Sequence, residues 1–278
     1  MRSDIRHVTV NAARLGYQVH SEGSGKPPAV FVHGYSGRAT GDGAYPALLP
    51  ALAEHFTVYA IDLRGHGASA AEIEGFSMTA VADDVGVLVR ELGLVGALYI
   101  GHSFGGFTGM YCEVRHPGSF SALCLLTSGP AGGGGFAGPE AGKFLIEHGN
   151  DREALRAAFA AMYVHGGDGS ANVEAALMMD LSVHRAYFPE WVRLSILDDV
   201  RRIRVPVLML NGALDNVVPL SSLHETALAL RLCKEVTFMT EGHMLPRESG
   251  GLVAREILAF WRHDVPELQA AARRPVEA

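Results

Sequence analysis

Three side chains that could together perform nucleophilic catalysis follow three separate apolar runs of the chain. Ser103 lies in GHSFGG (residues 101–106), directly after the run ALYI. Asp215 follows VPVLMLNG, and His243 follows EVTFMT. A serine hydroxyl is a weak nucleophile at neutral pH, so it needs a histidine to accept its proton and an acid to orient that histidine. The chain order therefore predicts Ser103 as nucleophile, His243 as general base and Asp215 as orienting acid.

The residues around Ser103 match the pattern Gly-x-Ser-x-Gly, between a predicted strand and a predicted helix that ends near His116 before Pro117. This pattern is typical of a nucleophile held in a strained turn between strand and helix. Larger residues at 101 and 105 would collide with neighbouring backbone, which explains the glycines there.

Other acids and histidines are weaker candidates for the same roles. The chain has 13 histidines, but only His243 follows a late apolar run in a Gly-His turn. Asp198 and Asp199 are predicted to lie at a helix end, and Glu241 is too close to His243 in sequence to approach its far ring nitrogen easily. We therefore keep Asp215 as the acid.

Attack on a carbonyl also requires donors for the negative charge that develops on its oxygen. The backbone N–H of Phe104, which follows the nucleophile, is one predicted donor. The loop after the apolar run 29–32, with sequence HGYS, supplies the other, and the N–H of Tyr35 is our candidate. We predict that His33 supports this loop.

The elements that must position these residues form an α/β pattern. Residues 5–10 and 15–20 alternate as in a β-hairpin with a connection at 11–14, and residues 77–92 have one apolar helical face, capped by Ser77 and followed by Gly93. Strands buried on both faces are predicted at residues 29–32, 58–61, 98–100, 123–126, 205–210 and 236–239. Alternation of such strands with helices predicts a mostly parallel sheet covered on both faces.

A glycine-rich stretch at 129–139 interrupts this alternation and opens a helical insertion. Amphipathic segments are predicted at residues 140–148, 152–163, 172–184 and 189–197, with Gly132 to Gly135 as a hinge. We predict a core formed by residues 1–130 and 201–278, and a helical cap, or lid, formed by residues 131–200.

Composition excludes several other classes. The net charge of −7 and the absence of a dense basic surface apart from Arg201, Arg202 and Arg204 argue against nucleic-acid binding. The charged N-terminus and the lack of a long apolar run predict a cytoplasmic protein without membrane contact. Three widely spaced cysteines, at positions 112, 124 and 233, predict free thiols and no metal site.

The segments HGYSG, DLRGHGAS, GHSFGG, NGALDNVVP and EGHM resemble the α/β-hydrolase family, in particular its lid-bearing members. The resemblance covers nearly the whole chain apart from the lid. It implies an α/β-hydrolase fold, a serine hydrolase that needs no cofactor, and a structural role for the loop at 62–69. Relatives that open epoxides use aspartate as the nucleophile, and Ser103 excludes that chemistry.

We predict that the substrate is a small to medium apolar ester or lactone; a homodimer is left open. Apolar lid residues could line its pocket, although residues at such spacing more often pack a lid onto a core. The named candidates for substrate contact are His33, His102, Phe136, Tyr187, Trp191 and Met244. Two alternatives remain: a carbon-carbon hydrolase of a diketone, with Arg185 or Arg193 binding a carboxylate, and a receptor with little turnover.

Overall fold

The protein is described by a computed structural model of residues 4–133, 138–191 and 193–272. Eight strands form one sheet; they are β1 (Arg6–Val10), β2 (Ala13–His20), β3 (Pro28–Val32), β4 (Thr57–Ile61), β5 (Ala97–His102), β6 (Phe120–Leu126), β7 (Val207–Gly212) and β8 (Cys233–Phe238). The helices are α1 (Leu48–Ala53), α2 (Met78–Glu91), α3 (Phe104–Arg115), α4 (Gly138–His148), α5 (Arg152–Ala160), α6 (Ser170–Ala176), α7 (Leu181–Trp191), α8 (Leu220–Ala229), α9 (Leu245–Glu248), α10 (Gly250–Ala259) and α11 (Val265–Ala272).

The order of strands in the sheet is β1-β2-β4-β3-β5-β6-β7-β8. The β1–β2 and β2–β4 pairs are antiparallel, and the pairs among β4, β3, β5, β6, β7 and β8 are parallel. The chain moves from β3 outward to β4 and then returns to place β5 on the other side of β3. The carboxyl ends of β3 and β5 therefore flank the crevice where α/β sheets bind ligands.

Helices cover both faces of this sheet, as the α/β prediction requires. Along β5, the side chain of Tyr99 packs with α2 and α3 in one apolar cluster, and those of Leu98 and Ile100 pack with α1 and α10 in the other. Burial on both faces explains why the central strands have apolar runs without polar alternation. The predicted fold class is confirmed.

Local signals were accurate at both ends of α2 and less so elsewhere. The Oγ of Ser77 accepts a hydrogen bond from the Ala80 N–H, and Gly93 is left-handed, as predicted. The hairpin connection is shorter than predicted, because Asn11 and Ala12 alone form a tight turn with positive φ. The strand predicted at 236–239 begins at Cys233, and it is only half-buried because β8 lies at the sheet edge.

Four helices, α4 to α7, lie between β6 and β7. α4 ends at His148 as predicted but begins earlier, at Gly138, and α5 ends earlier than predicted, at Ala160. The segments predicted at 172–184 and 189–197 were wrong: α6 ends at Ala176, and α7 starts after Asp180, whose carboxylate accepts the Ser182 N–H. Pro189 lies inside α7 and does not begin a helix. Residues 134–137 of the predicted hinge lie outside the described residues, and the cap domain remains a prediction.

The sequence also predicted free cysteines and no segment that spans a membrane. Cys112 and Cys124 are buried free thiols and Cys233 is a half-buried one, as expected. Among the helices in the described ranges, none has the length and apolar character needed to cross a bilayer.

Candidate active site

Ser103 lies in the turn between β5 and α3, at the carboxyl edge of the sheet. Its backbone angles, φ 52° and ψ −115°, fall outside the regions that non-glycine residues favour. Among the hydrogen bonds that hold the turn, the Gly129 N–H donates to the Ser103 carbonyl at 2.8 Å, and the buried Tyr99 hydroxyl donates to the Gly105 carbonyl at 2.6 Å. The strand, turn and helix predicted around Ser103 are therefore present.

Gly105 is required by the close approach of this turn to β3. A Cβ atom at position 105 would lie 2.5 Å from the carbonyl oxygen of Val32 and 2.6 Å from that of His33. Because backbone cannot move aside without disturbing the sheet, we expect Gly105→Ala to lower the free energy of unfolding by about 2 kcal/mol. Urea unfolding measures this difference.

The matched control for this prediction is Gly251→Ala in α10, where an added Cβ meets no atom within 4 Å. We expect that variant to be unchanged or more stable by about 0.5 kcal/mol, because alanine is the better helix former. Equal effects of the two substitutions would contradict the packing explanation for Gly105.

Ser103, His243 and Asp215 form one hydrogen-bonded chain. The Nε2 atom of His243 lies 3.0 Å from the Oγ of Ser103, and its Nδ1 lies 2.9 Å from the Oδ2 of Asp215. Ser103 is 8% exposed and His243 is 4% exposed. Water therefore competes little for these bonds, and the geometry lets the imidazole accept the serine proton while the carboxylate holds its other nitrogen.

The loop after β7 fixes the carboxylate of Asp215. Its Oδ1 accepts hydrogen bonds from the backbone N–H groups of Val217 and Val218, both at 2.8 Å, which leaves Oδ2 for the histidine. The other candidate acids do not bind His243. The side chain of Asp198 is 99% exposed, and the carboxylate of Glu241 binds the Ser249 hydroxyl at 2.8 Å.

The loop that carries His243 is fixed by its own carbonyl oxygen. That oxygen accepts hydrogen bonds from the Thr127 hydroxyl at 2.9 Å and from the Nε2 of His102 at 3.0 Å. The Nδ1 of His102 in turn accepts the Tyr45 hydroxyl at 2.7 Å. Burial, and to a lesser extent the charge of His243, lower the pKa of His102 well below its usual value. A neutral His102 therefore positions the loop with both of its ring nitrogens.

The loop after β3 brings Tyr35 close to Ser103. The Leu63 N–H donates to the Nε2 of His33, and the Nδ1 of His33 donates to the Gly34 carbonyl at 2.7 Å. Burial lowers the pKa of His33 to about 4, so its ring is neutral at pH 7. A Cβ added at Gly34 would lie 3.2 Å from the Cβ of Ser103, which shows how closely the loop approaches. Within the described chain, the N–H groups of Tyr35 and Phe104 donate to no acceptor.

The side chain of Tyr35 packs against α7. Its ring stacks on Tyr187 of α7 with centroids 3.9 Å apart, and its hydroxyl lies 2.7 Å from the Nδ1 of His184. Trp191 packs on Phe107 of α3 at 4.7 Å. Tyr187 and Trp191 were predicted to contact substrate, but their aromatic faces are used to pack α7 onto the core.

A cavity of about 40 Å³ adjoins Ser103, with room for roughly three water-sized groups. It is lined by Gly34, Tyr35, Ser36, Gly37, Tyr45, His102, Ser103, Leu145, Phe159, Met162, Asn172, Val217, His243 and Met244. Of the predicted substrate contacts, His102 and Met244 line this cavity, whereas His33, Tyr187 and Trp191 do not. Phe136 lies outside the described residues. No lysine or arginine of the described residues lines it, and the predicted carboxylate partners Arg185 and Arg193 lie elsewhere.

Several cavity residues were missed by sequence reasoning. Tyr45 lies in a loop without a motif. Ser36 lies in the HGYSG segment, where only His33 and Tyr35 were given roles, and Leu145 and Phe159 resemble ordinary packing of amphipathic helices. Asn172 could have been found, because it occupies the buried stripe of α6 with Val173 and Ala176. A polar residue at an apolar helical position is a recognisable signal.

Comparisons with known proteins identify the family and the fold. Residues 27–145 match the family model described as alpha/beta hydrolase fold. A bifunctional esterase/perhydrolase of Acinetobacter calcoaceticus is 28% identical over 254 residues, which are 84% of this chain and 92% of the relative. A non-heme chloroperoxidase of Streptomyces lividans is 30% identical over 210 residues, 69% of this chain and 75% of the relative. The crystal structure of an esterase from a Rhodococcus species shares the fold, with a TM-score of 0.79, 24% identity and coverage of 93% of this chain and 98% of that one.

Proposed function

The chain belongs to the α/β-hydrolase family and is a hydrolase, and we propose that it cleaves a carboxylic ester or lactone through an acyl-enzyme formed at Ser103. The observation that carries this proposal is the hydrogen-bonded chain from the Oγ of Ser103 through His243 to Asp215. Support also comes from the strained turn at Ser103 and from the nearby N–H groups of Tyr35 and Phe104, which donate to no acceptor in the described chain.

In the proposed first step, the Oγ of Ser103 attacks the ester carbonyl carbon and its proton passes to the Nε2 of His243. The negative oxygen of the tetrahedral intermediate accepts hydrogen bonds from the N–H groups of Tyr35 and Phe104. Each such donor is worth about 3 kcal/mol in the transition state. Asp215 stabilises the imidazolium through Nδ1.

The intermediate then collapses as the Nε2 proton of His243 is transferred to the leaving alcohol, which leaves an acyl group on Ser103. Water enters, gives a proton to His243 and attacks the acyl carbonyl. The second tetrahedral intermediate then collapses: the bond from its carbon to the Oγ of Ser103 breaks, His243 returns its proton to that oxygen, and the carboxylic acid is released. Each step uses groups of this chain and water, and the proposed partner is a small molecule, in keeping with a small, largely apolar cavity.

The cavity favours an ester over the carbon-carbon alternative. The diketone hypothesis required a cation near the substrate carboxylate, and the cavity lining in the described chain includes none. A carboxylate that enters such a cavity without a cation would lose hydration without compensation. Among the described residues, no feature favours a receptor without turnover over an enzyme.

We expect kcat/KM for p-nitrophenyl esters to be highest for acyl chains of two to four carbons. For a ten-carbon acyl chain it should be about tenfold lower. Leu145, Phe159 and Met162 must move to admit a longer chain, and overfilled cavities are disfavoured. Steady-state kcat/KM across the series measures the trend, and stopped-flow detection of a p-nitrophenol burst tests for the acyl-enzyme.

Met162→Ala should shift the preferred acyl length upward, because it removes a side chain from the cavity wall. Met178→Ala is the matched control, since Met178 is an exposed lid methionine that is not part of that wall. A wild-type enzyme inert toward every ester would contradict the proposed function. A rate that rises through ten carbons would contradict only the assignment of the cavity as the acyl site.

A further inference from the structure

Asn172 has hydrogen-bonding capacity that no described residue uses. It lies on α6, is 4% exposed, and lines the cavity together with Ser103 and His243. Its Oδ1 accepts the hydroxyl of Tyr163 at 2.8 Å. Its Nδ2 donates to no acceptor among the described residues, although a primary amide has two N–H groups to give. A donor on a largely buried side chain therefore remains available in the cavity that adjoins the nucleophile.

The orientation of this amide follows from its partner. Tyr163 is not one of the cavity residues, so the hydrogen bond to it turns the Oδ1 end of the amide away from the cavity. The Nδ2 end is then the part that Asn172 presents to the cavity. The bond to Tyr163 also prevents the amide from rotating freely, so the donor has a defined direction.

We propose that Asn172 is a specificity residue whose Nδ2 donates to a second oxygen of the substrate, close to the scissile carbonyl. This inference rests on the proposed ester or lactone hydrolysis and deepens it. The substrate is then an ester or lactone whose acyl part carries an ether, hydroxyl or carbonyl oxygen, and it is not a plain alkyl ester.

The apolar surroundings of Asn172 increase the effect of this donor on substrate preference. Leu145, Phe159, Met162 and Val217 make the adjoining wall apolar. In such a setting an unpaired N–H is costly, so a substrate that pairs it is strongly preferred over one that leaves it unpaired. Because the cavity holds only about three water-sized groups, an oxygen that reaches Asn172 must lie within a few bonds of the carbonyl at Ser103.

Ser36 provides a second, independent sign of a polar subsite. It lines the same cavity, and its Oγ is buried without a hydrogen-bond partner among the described residues. Ser36 also has a positive φ of 55°, a conformation that serine adopts at a cost. A substrate oxygen between these two elements would satisfy a donor of the lid and a hydroxyl of the β3 loop.

Two pairs of isosteric esters test the inference. p-Nitrophenyl methoxyacetate replaces one methylene of the butyrate by oxygen, and the 3-methoxypropanoate does the same for the pentanoate. Each kcat/KM ratio of ether to alkyl ester is divided by the ratio of the hydroxide-catalysed rates, which removes the difference in intrinsic reactivity. We expect the wild type to favour the ether ester of at least one pair by about tenfold or more.

Asn172→Leu keeps the side-chain size and removes the donor, and we expect it to bring the corrected ratio to about one. Asn172→Asp keeps the acceptor for Tyr163 and replaces the donor by an oxygen, so it should also abolish the preference and serves if the leucine variant does not fold. The ratio is measured within each variant, so the folded fraction cancels.

The outcomes separate the two proposals. Butyrate hydrolysis that depends on Ser103, with corrected ratios near one in the wild type or unchanged in both Asn172 variants, overturns the role of Asn172 and leaves the ester hydrolase standing. Absence of any hydrolysis that depends on Ser103 overturns the proposed function, and the inference with it.

Discussion

Ser103→Ala is expected to reduce kcat for ester hydrolysis by about 10⁶, to the level that the remaining site supports without a nucleophile. The hydroxyl is the group that forms the acyl-enzyme, and no other described hydroxyl lies within hydrogen-bonding distance of the Nε2 of His243. The measurement is steady-state hydrolysis of p-nitrophenyl butyrate, together with loss of the p-nitrophenol burst. Ser221→Ala, at an exposed position of α8, is the matched control and should retain activity.

The strain at position 103 gives this prediction a second readout. A φ of 52° with a ψ of −115° suits glycine, so Ser103→Gly should unfold at a higher temperature than Ser103→Ala, and both should be inactive. The free-energy difference is expected to be about 1 kcal/mol. A Ser103→Ala variant with more than a tenth of wild-type activity would contradict the assignment of the nucleophile.

Asp215→Asn is expected to lower kcat by about 10⁴, the second largest effect. An amide presents no second carboxylate oxygen to the Nδ1 of His243, so the imidazole loses the partner that fixes its tautomer and stabilises its positive charge. The variant should remain folded, because Val217 and Val218 can still donate to the remaining carbonyl oxygen. Steady-state kinetics and circular dichroism measure the two effects.

Two matched variants test the choice of acid. Asp198→Asn changes a fully solvated carboxylate and should have no effect. Glu241→Gln changes a carboxylate that binds Ser249 and His165, so it should lower kcat by less than about tenfold. If Glu241→Gln lowers kcat more than Asp215→Asn does, the assignment of the acid is wrong.

The sequence predicted the sheet and the hydrogen-bonded trio well because both depend on local patterns. Ser103, Asp215 and His243 each follow a buried apolar run, and the carboxyl ends of parallel strands meet at one edge of the sheet. Glycines at positions where a Cβ atom would collide with backbone at a strand end can also be predicted from the local motif, as Gly105 illustrates. These signals require no knowledge of how distant elements pack.

The roles of residues in helices α4 to α7 were predicted less well, because the directions of their side chains depend on tertiary packing. Tyr187 and Trp191 have the size and apolar character of pocket residues, yet they pack on Tyr35 and Phe107. Asn172 reaches the cavity only because α6 lies above the catalytic edge of the sheet. Helical periodicity identifies the buried face of a helix, but it does not say whether that face meets the core or the substrate.

Covalent trapping of the nucleophile tests the central claim most directly. The wild type is incubated with a fluorophosphonate, which phosphonylates an activated serine, and the intact mass and the modified peptide are determined by mass spectrometry. We predict one adduct per chain, on Ser103, with loss of esterase activity in proportion to labelling, no adduct in Ser103→Ala and much slower labelling in Asp215→Asn. Inactivation through an adduct on any other residue, or full activity after Ser103 is labelled, would contradict the account.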